Sequence, residues 1–75
     1  MDDMTPCRSV EEALDAIRRF RGSPDEFNLA VAKTFLDPMG VNMAIVTDAI
    51  LERGWMPDGF EDKGDHRLYR YKAMA

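Results

Sequence analysis

The sequence predicts an α+β domain, three helices followed by a C-terminal β-hairpin, and three observations predict it. Two serine-led capping boxes open apolar stripes at helical spacing, over residues 9–21 and 23–36. A third apolar stripe, over residues 40–54, begins and ends on glycine. Beyond it the period changes, and turn-forming clusters separate short runs with aromatic residues.

The first helix opens at Ser9-Val10-Glu11-Glu12, with Glu12 at the third helical position. Val10, Ala13, Leu14, Ile17 and Phe20 fall on one stripe, and Glu11, Asp15, Arg18 and Arg19 lie mostly off it. Asp15 and Arg19 are four apart, a pair worth about a few tenths of a kcal/mol. Arg18, Arg19 and Arg21 suit the negative end of the dipole, and Gly22 is expected to close the helix.

The second helix is expected from Ser23-Pro24-Asp25-Glu26, an N-cap followed by proline at the first helical position. Phe27, Ala30, Val31, Thr34 and Phe35 form its stripe, and Leu29, Ala32 and Leu36 widen it, as in a helix buried on two sides. It should end near Leu36, because Pro38 disfavours helix at Asp37.

In the third helix Gly40 supplies the turn and Asn42 is the expected N-cap. Val46, Ala49 and Ile50 point to the core, Met43 and Ile45 lie at the margins of that arc, and Leu51 lies off it. Gly54 suits the left-handed position past the helix end, with Arg53 near the negative end of the dipole. Trp55 is placed to anchor the next segment in a core.

Pro57-Asp58-Gly59 reads as a turn, residues 60–62 as a strand, 63–65 as a second turn and 67–72 as the returning strand. Arg67, Tyr69 and Tyr71 share one face, and Leu68, Arg70 and Lys72 the other. Neither face is purely apolar, which predicts an edge hairpin.

Seventy-five residues make one domain, residues 9–75, behind an arm at 1–8 that lacks periodicity. A chain this short buries only about 60% of its unfolded surface, so its stability is expected to be about a few kcal/mol, and a homodimer would add to it. The net charge is −4, with eight acids and five bases in residues 1–40 and six and five in 41–75. That balance weighs against nucleic acid, whose affinity comes mainly from basic contacts to phosphate. Cys7 is alone, so a disulfide framework is excluded. The acidic opening MDDMTPC lacks the features of a signal peptide, and no apolar run approaches the roughly 20 residues of a membrane span. The expectation is a cytoplasmic protein without membrane contact.

Catalysis is not expected. No phosphate loop, nucleophile elbow or dinucleotide fingerprint is present. His66 beside Asp65 lacks a third partner, and Asp58, Glu61, Asp62 and Asp65 lack calcium-loop order. No metal, cofactor or small-molecule substrate is expected.

Gly40-Val41-Asn42 followed by Val46, Ala49 and Ile50 resembles the start of a recognition helix in winged helix-turn-helix regulators. Glu52-Arg53-Gly54-Trp55 resembles the ending that leads into their wing, and the run GDHRLYRY resembles a wing tip and its returning strand. The resemblance covers about residues 9–72 and implies a winged-helix-like fold. In the DNA-binding members, the exposed positions early in that helix are commonly Ser, Thr, Arg or Gln. Here they are Met43, Ile45, Thr47 and Asp48, two apolar and one acidic. Met43, with Met39 and Met56, is the residue type common on adaptable interfaces.

The leading expectation is therefore a non-catalytic protein-interaction or accessory regulatory module, or a small homodimer, using the third helix. Its candidate contacts are Met43, Ile45, Thr47 and Leu51. The alternative is a DNA-binding regulator in which Asn42 and Thr47 enter the groove while Lys63, Arg67, Arg70 and Lys72 hold phosphates.

Overall fold

The computed structural model describes residues 5–37 and 39–74. Pro38, invoked above as a helix breaker, lies outside the described residues, as do residues 1–4 of the arm. Ser9 is extended and its hydroxyl accepts a hydrogen bond from the Glu12 N–H at 3.2 Å, which starts helix α1, Val10–Arg19. The Glu12 carboxylate reaches back to the N–H of Arg8 at 2.8 Å. Ala13 and Ile17 are buried, and Val10, Leu14 and Phe20 pack half-buried against the core, as the stripe predicts. The helix ends before Gly22. Phe20 leaves in an extended conformation, and its ring stands so close to Gly22 that an added Cβ would meet it at 2.7 Å.

The second helix is mostly a strand. Ser23 makes no side-chain cap, and Pro24–Glu26 form only a 3-10 turn. The chain then extends as β1, Asn28–Ala32, and helix α2 is confined to Lys33–Leu36. Leu29, Ala30, Val31 and Ala32 are all buried. A strand buried on both faces shows an unbroken apolar run that periodicity cannot distinguish from a buried helix.

Helix α3, Gly40–Glu52, starts three residues earlier than expected. Asn42 lies inside it, Met39 occupies the cap position, and no side chain caps the end. Arg53 and Gly54 close the helix onto the carbonyls of Ile50 and Leu51, with Gly54 at φ 80°, where a side chain would be strained. The Arg53 side chain, unlike its N–H, does not serve its own helix. Its guanidinium donates to the carbonyls of Ile17 and, at 3.1 Å, Phe20, satisfying the end of α1, and lies 4.3 Å over the Trp55 ring.

Strands β2, Trp55–Asp62, and β3, His66–Ala73, make the hairpin, and the expected turn at Pro57-Asp58-Gly59 is a bulge within β2. The described strands form one antiparallel sheet of order β1-β3-β2. The hairpin is therefore not an edge unit: β3 is the central strand, pairing Leu29 with Tyr69 on one side and Phe60 with Tyr69 on the other. Its third strand comes from residues 28–32, because the helical reading of that run was a misreading of strand. The arm is tied down at Cys7, whose N–H donates to Ala30 and whose carbonyl accepts from Ala32, 2.8 and 3.1 Å. This covers the outer edge of β1. Burial, then the Glu12 charge, raises the Cys7 thiol pKa.

The fold is thus α+β, with three helices and a three-stranded antiparallel sheet among the described residues. The core lies between the helices and one sheet face. Phe27 joins its aromatic part, with ring centroids 4.9 Å from Phe20, 5.4 Å from Trp55 and 5.5 Å from Tyr71. Burial raises the Tyr71 phenol well above its ordinary pKa.

Candidate functional site

Helix α3 is apolar nearly all round, an arrangement usual for a helix covered on every side. Only one side is covered here. Val46 and Ile50 are fully buried, and Met43 and Ala49 pack half-buried beside them. At about 3.6 residues per turn, Val41, Ala44, Ile45, Asp48, Leu51 and Glu52 share the opposite arc, and all six are exposed. Val41 is 78% exposed, Ile45 48% and Leu51 42%.

Of the four predicted contacts, Ile45 and Leu51 stand on this outward arc. Met43 belongs to the core side and Thr47 is half-buried between the two. Sequence reasoning missed Val41, which entered only within the run Gly40-Val41-Asn42 likened to the start of a recognition helix. Its signal was its position on the helical wheel beside Ile45 and Asp48. It also missed the exposed ring of Phe60 on β2, which lies 5.5 Å from the Tyr69 ring.

The residues proposed to hold nucleic acid are engaged elsewhere. Asn42 donates its amide to the Met39 sulfur at 3.0 Å. Lys63, at 2.7 Å, and Arg70 converge on the Glu61 carboxylate. Lys72 lies 3.7 Å from Asp58. The Arg67 guanidinium lies 5.2 Å over the Phe60 ring, on the sheet face opposite Arg70 and Lys72. Lys33 pairs with Asp62 at 2.7 Å and His66 with Asp65 at 2.7 Å. The four carboxylates of this hairpin are thus engaged by neighbouring side chains: Asp58 by Lys72, Glu61 by Lys63 and Arg70, Asp62 by Lys33, and Asp65 by the His66 ring.

These pairs set a pH dependence. Hydrogen bonds from Lys63 and then Arg70 hold the Glu61 carboxyl below its ordinary pKa. Lys33, followed by the Gly64 N–H, does the same for Asp62. A depressed folded-state pKa stabilises the fold above the ordinary carboxylate value of about 4, and that contribution is lost as pH falls through the depressed value. The melting temperatures of wild type and Glu61→Gln should differ by a constant amount from pH 7 to about 5 and converge below about 4. A difference that disappears between pH 7 and 5 would contradict the pairing.

No family model, curated protein or solved structure matches the chain. Among the described residues, no helix is long and apolar enough to cross a membrane.

Proposed function

We propose that the chain is a small non-catalytic binding module of winged-helix-like architecture that docks a protein partner on the outward face of α3. One observation carries this reading: Val41, Ile45 and Leu51 are exposed on a helix whose other side is already committed to the core. Exposed apolar side chains gathered on one helix face, rather than scattered singly, are characteristic of interaction surfaces. The element order supports the architecture, with α2 ending at Leu36, α3 beginning at Gly40, and the β2–β3 hairpin following.

The ion pairs favour protein over DNA as the ligand. Lys63, Arg70 and Lys72 each face a carboxylate, so contact with phosphate would first have to break a pair. The outward arc of α3 offers phosphate only Asp48 and Glu52 as charged groups, and both repel it.

The test is capture from an extract of the source cells. Proteins retained by the wild-type chain should be lost from Ile45→Asp and from Leu51→Asp, while both variants keep the wild-type circular dichroism spectrum and melting temperature within a few degrees. Undiminished capture by both folded variants would overturn the role of α3. In parallel, mixed-sequence duplex DNA at low salt should leave the amide resonances of Asn42, Thr47 and residues 67–72 unmoved. Shifts there would instead establish the DNA-binding alternative.

A further inference from the structure

The outward arc of α3 has charges of one sign only. Asp48 stands between Ile45 and Leu51, Glu52 follows beside Leu51, and α3 contains no base from Gly40 to Glu52. Neither Asp48 nor Glu52 forms an ion pair among the described residues. The next base, Arg53, is turned inward onto the end of α1 and onto Trp55.

Resting on the protein-docking reading above, we infer that the occupant of this face is a cationic amphipathic segment of a protein partner. Its apolar side chains would seat on Val41, Ile45 and Leu51, and its lysines or arginines would meet Asp48 and Glu52. Complementary charge fixes which partner is accepted and speeds encounter, while the apolar contacts supply most of the affinity. A second copy of this chain fits less well. A two-fold interface presents the same patch twice, so it would bring Asp48 and Glu52 of one copy toward those of the other without a base to separate them. The net charge of −4 adds repulsion at longer range. The 13 residues of α3 make a face about 20 Å long, and a single segment laid along it buries less than the roughly 800 Å² per partner of a standard interface.

The probes are two designed peptides of about four helical turns with identical leucine spacing, one carrying lysine and the other glutamate at every polar position. Each is titrated into the isotope-labelled full chain and followed by amide chemical shifts. The leucine–lysine peptide should shift Val41, Ala44, Ile45, Asp48 and Leu51 and weaken several-fold as salt is raised. The leucine–glutamate peptide should leave them unmoved. Asp48→Lys should reverse the preference, and Ile45→Asp should abolish it. Glu11→Gln, on the exposed acidic side of α1, should change nothing, which separates docking on α3 from general attraction to an acidic protein. Equal binding of both peptides on α3 would overturn the charge selection while leaving apolar docking intact. Shifts centred on Glu11, Glu12 and Asp15 that are indifferent to Asp48→Lys would overturn it as well. Failure of both peptides, with a sedimenting dimer that Ile45→Asp dissociates, would make a second copy the occupant. Failure of both with no dimer would overturn the inference too. The docking reading itself would then stand or fall on the capture experiment.

Discussion

Trp55→Ala should leave the chain largely unfolded at room temperature. Trp55 is 6% exposed, and its ring lies 5.4 Å from that of Phe27, 6.0 Å from that of Phe20 and 4.3 Å beneath the Arg53 guanidinium. Truncating a buried tryptophan costs about 3–5 kcal/mol through lost burial and the cavity left behind. The substitution also removes the surface on which Arg53 lies as it reaches the carbonyls of Ile17 and Phe20, so the closure of α1 weakens with it. A domain of this length has only about a few kcal/mol in total, so one such loss is comparable with the whole. Far-UV circular dichroism and urea titration read the outcome, and Trp55→Phe, which keeps a ring, should recover much of the stability. A Trp55→Ala protein melting within a few degrees of wild type would show that the aromatic cluster is not what holds the helices to the sheet.

The second large effect is a contrast within α3. Ile50→Ala should cost about 2–5 kcal/mol, because Ile50 is fully buried and its removal opens a cavity in the core. Ile45→Ala, five residues earlier on the same helix, should change stability by no more than about 0.5 kcal/mol, because its side chain is already 48% exposed. Denaturant midpoints of the two variants measure the difference directly. Equal losses would mean that the outward arc is covered in solution by a second copy, and would remove the basis for docking a different partner.

Local signals carried α1 and α3 because each helix announces itself within a few residues. Ser9 and Glu12 bracket the start of α1, Val46 and Ile50 recur at helical spacing, and Gly54 takes the left-handed conformation that ends α3. Trp55 reached the core because it follows that turn directly. The strand at residues 28–32 was not legible because its cause is distant. Ser23-Pro24-Asp25-Glu26 is a true local turn signal, but it is spent on a single 3-10 turn. What makes the next five residues extended is pairing with residues 66–70, far along the chain, and cover from Cys7 on the other edge. The helical stripe through Phe27, Ala30 and Val31 was real in the sequence and overridden by that pairing.

The candidate surface was half legible for a related reason. Wheel geometry placed Leu51 off the core arc and Ile45 and Met43 at its margins. Only packing decided that Ile45 faces out and Met43 in. The basic residues of the hairpin were legible as a cluster, but their carboxylate partners were not assigned, since Glu61 meets Arg70 only once β2 and β3 are in register.

The place of β3 in the sheet has a consequence during synthesis. Of the described strands it is the last to be synthesised and the one to which both others pair. Until residues 66–73 have emerged, β1 and β2 have no strand partner, and the buried run 29–32 has no sheet to join. The helices alone enclose too little apolar surface to persist. Nascent chains stopped before His66 should therefore be protease-sensitive along their whole length, and protection should arise in one step as β3 clears the exit tunnel.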